Sequence, residues 1–268
     1  MPEGHTIHRL AARHNELLRG EVVNATSPQG RFSAGAALLS GSKLEFAEAY
    51  GKHLLHHYDF GLTLHVHLGL YGKFSDGALP APPPIGELRM RLSNDHHWID
   101  LRGPSACELL DGASEKALLD RLGIDPLRPD ADPKLAFARL KKRAAPLGAL
   151  LLDQSIIAGA GLIFVMECLY RAGLHPSTPG TALTPKGWKQ IWGDLVALMA
   201  AAVVSGRIDT VRPKHMPEAM GRAPRVDRHG GEVYVYRRAG QPCLVCGTPI
   251  ARGELNGRNT YWCPACQS

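Results

Sequence analysis

The sequence begins Met1-Pro2-Glu3-Gly4, and its second residue could act as a covalent catalyst. Proline is small enough for Met1 to be removed routinely, which would leave Pro2 with a free secondary amine beside the Glu3 carboxylate. An α-amino group has a reference pKa of about 8, so part of it is neutral and nucleophilic at neutral pH. It can condense with an aldehyde to an iminium, as catalytic lysines do. Many proteins begin with Met-Pro and do not use it, so the remaining sequence must decide between the two interpretations.

Four of the six cysteines are grouped near the end of the sequence. They form two Cys-x2-Cys pairs separated by sixteen residues, a spacing typical of a structural zinc site with four thiolate ligands. Such a site has no open coordination position, so the zinc would hold the polypeptide and take no part in a reaction. The predicted zinc ligands are Cys243, Cys246, Cys263 and Cys266.

The segment between the two cysteine pairs predicts a β-hairpin. Two short strand-like runs, 250–255 and 259–262, flank the Asn256-Gly257 dipeptide, which favours a tight two-residue turn. Arg258 lies beside this turn, where its guanidinium could reach a phosphate group.

Two stretches in the first half could also carry chemistry. Lys52 follows a glycine at the start of a predicted strand, where it is either a solvated surface cation or a functional one. The run from 67 to 72 ends another strand with Leu70 and Tyr71 between glycines. Such a tip is either a turn packed on the core or an exposed wedge able to enter a stack of bases.

The thirteen histidines raise the question of a second metal site. Strand alternation places His65 and His67 on one face, but no cysteine or carboxylate in the sequence completes a convincing set of ligands. We therefore interpret these residues as strand and surface histidines. The group comprises His53, His56, His57, His65 and His67.

The composition indicates a globular protein with a basic surface. At 268 residues the chain is long enough for one large domain or two ordinary ones, and 44% hydrophobic against 21% charged residues excludes a disordered chain. We find no apolar run long enough to cross a membrane and no signal peptide, so we expect a cytoplasmic protein. The net charge of +6 favours a polyanionic partner.

The first half of the chain predicts one helix followed by short strands. An amphipathic pattern over 3–19 predicts a helix that Gly20 ends. Alternating runs broken by turn residues continue to about 104 and favour a sandwich or barrel, with an exposed loop at 78–86. The predicted strand segments are 21–23, 43–46, 53–58, 62–67, 88–92 and 97–101.

The second half predicts helices. A Pro-dense stretch at 124–134 indicates a boundary, and a Gly-rich turn containing Gly159 and Gly161 could offer backbone N–H groups to a phosphate. The segment 206–231 is rich in Arg, Pro and Gly and predicts a long, mobile, basic loop. The predicted helices cover 135–143, 146–153, 162–172 and 186–205.

Taken together, these motifs resemble the formamidopyrimidine-DNA glycosylase/endonuclease VIII family over nearly the whole chain. The resemblance rests on the N-terminal tetrapeptide, Lys52, the helix–turn–helix region 151–170 and the four-cysteine hairpin with Arg258. The Leu-Tyr wedge and the opening Gly-His-Thr are similar to actinobacterial endonuclease VIII-like members.

The resemblance implies an α+β fold. An N-terminal helix and β-sandwich would form the catalytic domain at 1–124, followed by a linker at 125–134. A helical domain with a helix-two-turn-helix would occupy 135–230, and a zinc-finger hairpin holding one structural Zn²⁺ would occupy 231–268.

The resemblance also implies a bifunctional enzyme that excises oxidised bases, pyrimidines in the endonuclease VIII branch, and then cuts the backbone by β,δ-elimination. Pro2 would form the iminium, Glu3 would transfer protons, and Lys52 would contact a phosphate and assist proton transfer to the base. The partner would be damaged double- or single-stranded DNA, bound by a monomer. The expected DNA contacts are Leu70, Tyr71, Arg102, Gly159, Gly161 and Arg258.

One residue departs from the family pattern. The family has an Asn after the last glycine of the turn, where this chain has Leu162, which cannot donate a hydrogen bond to phosphate. Losing one donor to a charged group costs about 1.5–3 kcal/mol, or roughly 10- to 150-fold in binding or rate. The alternative function is therefore a weakly active or non-catalytic relative that binds damaged or abasic DNA. Glu167 falls where the family has a Glu.

Overall fold

The computed structural model describes residues 2–227 and 231–268. The chain divides into two compact units, Met1–Arg121 and Leu122–Ser268. Residues of the Pro-dense stretch belong to the second unit, because Ile124 pairs through its backbone with Ile157 and the buried Asp125 caps the Leu127 N–H. The finer boundary at 230/231 falls on residues 228–230, which lie outside the described residues.

Among its described residues, the first unit contains three helices and eight strands. They are α1 (Gly4–Leu18), β1 (Asn24–Thr26), α2 (Ser33–Leu39), β2 (Leu44–Tyr50), β3 (His53–Tyr58), β4 (Thr63–His67), β5 (Lys73–Ala78), β6 (Leu88–Ser93), β7 (His97–Arg102), β8 (Ala106–Leu110) and α3 (Gly112–Asp120).

The strands form two four-stranded antiparallel sheets, which confirms the predicted β-sandwich. Their orders are β1-β6-β7-β5 and β2-β3-β4-β8. Alternate side chains of both sheets, such as Leu64 and Val66 from one and Leu92 and Ile99 from the other, share one buried apolar cluster. The apolar side of α1 joins the same cluster, and the left-handed backbone of Gly20 (φ +81°) ends the turn after this helix.

Several elements of this unit were not predicted. The strand expected at 21–23 forms only a bridge between Val22 and Lys43, and the paired strand follows at β1. Strands β5 and β8 lie at sheet edges and lack strong apolar alternation. Their sequences therefore show no clear pattern from which a strand could be predicted. Helix α2 consists mostly of small residues, which gives a weak helical signal.

The second unit contains five helices and one hairpin among its described residues. They are α4 (Pro133–Lys141), α5 (Leu147–Leu150), α6 (Leu162–Ala172), α7 (Pro185–Ser205), α8 (Pro217–Met220), β9 (Ala251–Leu255) and β10 (Arg258–Trp262).

Side-chain hydrogen bonds mark the first residues of two helices in this unit. The Asp132 carboxylate accepts the Lys134 N–H at the start of α4, and the Thr184 hydroxyl accepts the Gly187 N–H at the start of α7. The prediction of a helix over 146–153 was too long. Helix α5 is a single turn, because the Asp153 carboxylate binds the N–H and hydroxyl of Ser155 and turns the chain.

Two buried carboxylates bind residues of the segment that was predicted as a mobile loop. Glu167 is completely buried and accepts hydrogen bonds from the Thr210 hydroxyl and from the backbone N–H groups of Tyr234, Val235 and Tyr236. Further along, Glu232 is buried and binds Arg222 and the Arg225 backbone. Thr210, Arg222 and Arg225 of the segment 206–231 are therefore held by hydrogen bonds to buried carboxylates.

A membrane-spanning helix is absent from the part of the chain that the structure describes.

Candidate functional site

Pro2 and Glu3 immediately precede α1. Glu3 occupies the N-cap position with an extended backbone, and its carbonyl accepts the Thr6 N–H at 2.9 Å. Its side chain is only 2% exposed, whereas Pro2 is half-buried. A carboxylate is retained in such a place only with compensating hydrogen bonds, so Glu3 is held in a defined position. Burial lowers the pKa of the neighbouring His5 to about 4, which leaves its imidazole neutral near pH 7.

Lys52 occupies a two-residue turn. Gly51 and Lys52 connect β2 to β3, whose last paired residues are Tyr50 and His53. The left-handed backbone of Gly51 (φ +58°) makes this tight turn possible. The turn places the half-buried Lys52 at one end of the sheet β2-β3-β4-β8.

The Leu-Tyr pair is an exposed tip between β4 and β5. Leu70 is 61% exposed and Tyr71 is 85% exposed, so the alternative of a turn packed on the core is wrong. Gly69 has a positive φ of +64°, and a Cβ on Gly72 would lie 2.3 Å from the Leu68 carbonyl oxygen. Both glycines are therefore needed to form this tip, and a large aromatic side chain stands free in solvent.

Arg102 lies at the end of β7, with its guanidinium bonded inside the protein. It donates to the Asp100 carboxylate at 3.1 Å and to the Ser75 hydroxyl at 3.3 Å. Asp100 is buried and is also held by Arg91, so Arg102 completes a charged cluster. These contacts give Arg102 a structural role, and its predicted contact with DNA stays a prediction.

The predicted strand and surface histidines include one buried pair. His56 is 1% exposed, and its Nε2 atom lies 2.9 Å from Nδ1 of the buried His14 on α1. Burial lowers the pKa of His14 to about 3 and that of His56 well below the usual value, so both imidazoles are neutral. This pair joins α1 to β3. The sequence analysis did not predict the contact, because the two histidines lie 42 residues apart in the chain.

A second group of possible metal ligands consists of Glu48, His57 and Glu115, which the sequence analysis did not predict. His57 Nε2 lies 3.2 Å from Glu48, whereas Nδ1 lies 3.1 Å from the Thr63 hydroxyl, which donates to Glu115. The two carboxylates thus approach opposite edges of one ring. The ligand atoms of the three residues lie within 4.8 Å of one another, and hydrogen bonds occupy both ring nitrogens of His57.

The Gly-rich turn of the second unit is shaped by one amide side chain that the sequence analysis missed. Gln154 accepts the Gly159 N–H at 2.9 Å and donates to the carbonyls of Leu152 and Ala160, both at 3.0 Å. Gly159 has a φ of +90°, and Gly161 is the N-cap residue of α6. The turn therefore presents the start of a helix with its positive dipole end.

Leu162 is the first residue of α6 and is half-buried against the apolar core of the second unit. It brings no polar group to the start of the helix.

Arg258 is the exposed first residue of β10 and follows a turn with positive φ at Asn256 (+50°) and Gly257 (+72°). Together with Asn256, Arg143 and Asp153 it lines a groove between the hairpin tip and the segment around α5. The Arg143 guanidinium donates to Asp153 at 3.1 Å. The predicted hairpin is thus confirmed, with a cation at its tip.

The four cysteines of the tail lie together, with all four Sγ atoms within 4.8 Å of one another. Three of the Sγ–Sγ separations are 3.4, 3.5 and 3.9 Å. Zn–S bonds of about 2.3 Å in a tetrahedron require about 3.8 Å between sulfur atoms, so these thiolates fit one zinc ion. The zinc ligands are Cys243, Cys246, Cys263 and Cys266.

Groups around this cluster support the thiolates. The Tyr170 hydroxyl lies 3.1 Å from Cys243 Sγ, and the Gln267 side chain accepts the Cys263 N–H and donates to the Leu174 carbonyl. Supporting hydrogen bonds of this kind orient ligands and strengthen metal binding.

We expect a chelator to remove one zinc ion per chain and to unfold the hairpin, since such sites contribute about 10–16 kcal/mol of apparent binding energy. Elemental analysis and protease cleavage within 240–268 measure both effects. Cys263→Ser should behave like chelated protein, and Cys107→Ser, outside the cluster, should retain zinc. A folded preparation with almost no zinc would contradict the four-thiolate site.

Comparison with protein-family models finds three matches along the chain. Residues 1–107 match the formamidopyrimidine-DNA glycosylase N-terminal domain and residues 122–212 match the formamidopyrimidine-DNA glycosylase H2TH domain. Residues 240–268 match the zinc finger found in FPG and IleRS.

Similar proteins match along their full length. Endonuclease 8 1 of Mycobacterium tuberculosis is 46% identical, with 100% of both chains covered. The structure of the MutM (FPG) protein from Thermus thermophilus has a TM-score of 0.77 at 31% identity and covers 99% of this chain and 98% of that one. Lactococcus lactis Fpg bound to DNA containing an abasic site has a TM-score of 0.78 at 22% identity, covering 99% of each chain, which supports the fold.

Proposed function

The chain belongs to the formamidopyrimidine-DNA glycosylase/endonuclease VIII family, and from this premise we propose how its residues carry out base excision. It is a DNA glycosylase with abasic-site lyase activity that acts on damaged DNA. The observation that supports the proposal best is the placement of Pro2 and a buried Glu3 directly before α1. We further propose that it acts as a monomer in the cytoplasm.

In this proposal the Pro2 amine attacks C1′ of the damaged nucleotide. The C1′–N bond breaks, the base leaves, and the sugar ring opens to an iminium between Pro2 and C1′. The iminium acidifies the neighbouring C–H bonds, so that β-elimination and then δ-elimination release both flanking phosphates. Glu3 transfers protons to the ring oxygen and from the opened sugar, a role that its fixed position favours.

Three further residues of the first unit would help Pro2 to reach C1′ of the damaged nucleotide. The damaged nucleotide must leave the base stack, which costs a few kcal/mol and less for a damaged base. The exposed Leu70 and Tyr71 would fill the gap that it leaves. Lys52 would hold a phosphate near the lesion and assist proton transfer to the base.

In the second unit, the turn at Gly161 and the start of α6 would bind a phosphate, and Arg258 would bind a second phosphate from the hairpin tip. The Gly159 N–H is bound to Gln154, so the predicted phosphate contact of Gly159 does not use this group. We expect Arg258→Ala to weaken DNA binding about 10-fold at low salt, equally for all sequences, because it removes one charged hydrogen bond. The slope of log affinity against log salt should become shallower by about one.

Arg252→Ala is the matched control, because Arg252 lies on the same hairpin but its guanidinium binds Asn259 at 2.8 Å. Fluorescence anisotropy over a series of salt concentrations measures both variants. Equal salt slopes for wild type and Arg258→Ala would remove Arg258 from the phosphate contacts.

We propose oxidised pyrimidines as the preferred lesions, because the Leu-Tyr wedge and the similarity to Endonuclease 8 1 both favour the endonuclease VIII branch. We expect thymine glycol and dihydrouracil to be excised at least about 10-fold faster than 8-oxoguanine. Single-turnover assays on matched duplexes and single strands, with plain abasic DNA as the control for lyase activity, measure the difference. Faster excision of 8-oxoguanine would contradict the pyrimidine preference.

A second candidate function is the binding of damaged or abasic DNA with little catalysis, and Leu162 favours it. This side chain is packed against the core and cannot give phosphate the hydrogen bond that the family Asn gives. Pro2, Glu3 and Lys52 are all present although Leu162 departs from the family pattern, so catalysis remains the first proposal. Borohydride trapping on abasic DNA separates the two functions, because only the catalyst forms an iminium.

A further inference from the structure

The tip between β4 and β5 that carries Leu70 and Tyr71 lies against a second loop, residues 103–105, which joins β7 to β8. The two loops are joined through their backbones, because the Ser105 N–H donates to the His67 carbonyl at 2.9 Å where β8 begins to pair with β4. The loop 103–105 is therefore bound to the last residue of β4, three residues before Leu70.

The Ser105 hydroxyl lies at the centre of the contact between the two loops. Its Oγ atom lies 2.9 Å from the His67 carbonyl oxygen and 2.8 Å from His67 Nδ1. His67 Nδ1 also accepts the N–H of Gly69 at 3.1 Å. The hydroxyl therefore contacts the side chain that binds the backbone directly before Leu70.

The Gly69 N–H fixes the tautomer of the His67 ring. A backbone N–H can only donate, so Nδ1 is an acceptor and the proton of the neutral ring lies on Nε2. Burial lowers the pKa of His67, so the ring is neutral near pH 7, as this assignment requires. The Ser105 hydroxyl therefore donates to His67 at Nδ1 or at the carbonyl oxygen, and either bond holds the same residue.

Close packing adds to these hydrogen bonds. A Cβ on Gly69 would lie 2.9 Å from the Ser105 Cβ, and a Cβ on Gly103 would lie 3.3 Å from the Tyr71 carbonyl oxygen. The loop 103–105 thus approaches the backbone of the tip at two places, one before Leu70 and one at Tyr71.

This support affects what the tip loses when it enters DNA. A flexible loop gives up conformational freedom when it is fixed in a complex, and the lost entropy weakens binding. A loop that the folded protein already holds in one conformation loses less. The Leu70 and Tyr71 side chains are exposed, so the support of the tip comes from its backbone and from His67.

We propose that Ser105, acting through His67 and Gly69, holds the Leu70–Tyr71 tip in the conformation that inserts into duplex DNA. The inference rests on the proposed function, in which Leu70 and Tyr71 fill the gap left by the damaged nucleotide. Ser105 is a positioning residue, since it acts through the tip, and its role involves no covalent step.

The test removes one hydroxyl group and follows the binding of two forms of abasic DNA. Ser105→Ala keeps the Cβ beside Gly69 and removes both hydroxyl contacts with His67. Ser33→Ala is the matched control, because Ser33 is also exposed and its hydroxyl donates to the Gly30 carbonyl at 2.9 Å. Fluorescence anisotropy measures binding to a duplex and to a single strand that contain a tetrahydrofuran abasic analogue, which has no aldehyde and cannot form the iminium.

We expect Ser105→Ala to weaken binding to the duplex about 3- to 10-fold. Binding to the single strand should change much less, because a single strand has no stack of base pairs for the tip to hold open. In a Leu70→Ala/Tyr71→Ala background Ser105→Ala should have no further effect, since the tip then carries no wedge. Ser33→Ala should bind like wild type, and both serine variants should melt within about 2 °C of it.

Amide relaxation NMR of the free protein tests the inference without DNA. The order parameters of residues 69–72 should be about 0.85 in wild type and fall toward about 0.6 in Ser105→Ala. Unchanged order parameters would overturn the proposal, and so would an equal loss of duplex affinity in the double-alanine background. Wild-type protein that binds the abasic duplex but excises no base would contradict the proposed catalysis instead, and the affinities and order parameters would still decide the role of Ser105.

Discussion

Replacing Pro2 by Gly should strongly reduce the covalent adduct that borohydride traps between the protein and abasic DNA, and should slow excision by a factor on the order of 10³ or more. The physical reason is that the iminium requires a nucleophilic amine at a fixed position, and Pro2 is the residue directly before the buried Glu3. Glycine keeps a primary amine but loses the ring that fixes its backbone.

A second variant distinguishes the effect of losing the nucleophilic amine from the effect of losing the pyrrolidine ring. A chain with one uncleaved residue before Pro2 keeps the ring but converts its nitrogen to a tertiary amide, which cannot form an iminium. Both variants should bind abasic DNA with an affinity close to that of wild type. Intact-mass measurement must first show that Met1 is absent from the wild-type preparation, because retained Met1 has the same chemical effect.

An adduct formed in wild-type yield by the blocked chain would place the nucleophile on another residue, such as Lys52. Absence of an adduct from wild-type protein lacking Met1 would favour the binding function that Leu162 suggests.

The parts of the fold and site that local chemistry determines could be predicted from the sequence. The spacing of the cysteine pairs predicted a cluster of thiolates, and their sulfur atoms lie at distances that fit zinc. Asn256-Gly257 predicted the hairpin turn, and the two residues have the positive φ values that such a turn needs. Helix α6 begins and ends at the predicted residues, because Gly161 and Gly173 stand at its two ends.

Contacts between distant residues could not be predicted in the same way. The hydrogen bond between His14 and His56 joins residues 42 apart, and nothing in either neighbourhood indicates a partner. The same holds for Arg102, which was expected to contact DNA and whose guanidinium donates to Asp100, Ser75 and the Ile85 carbonyl. A side chain's role depends on which groups the fold brings beside it, and local periodicity carries no information about that.

Glu167 is the clearest example, because only the family resemblance singled it out and its partners lie 43 to 69 residues away. We expect Glu167→Ala to destabilise the second unit by about 3–5 kcal/mol, because the substitution leaves three buried backbone N–H groups without their acceptor and removes one acceptor of the Thr210 hydroxyl. For a unit of this size the melting temperature should fall by about 6–20 °C.

Glu167→Gln distinguishes the loss of charge from the loss of packing. Its amide oxygen can still accept, but its NH₂ group must face backbone N–H donors, so we expect a melting temperature well below that of wild type. Glu218→Ala is the control, since Glu218 is exposed on α8 and should change stability by less than about 0.5 kcal/mol. Calorimetry of zinc-loaded protein measures all three variants. If Glu167→Ala melted within about 2 °C of wild type, the four hydrogen bonds to this carboxylate would not hold 210 and 234–236 against α6.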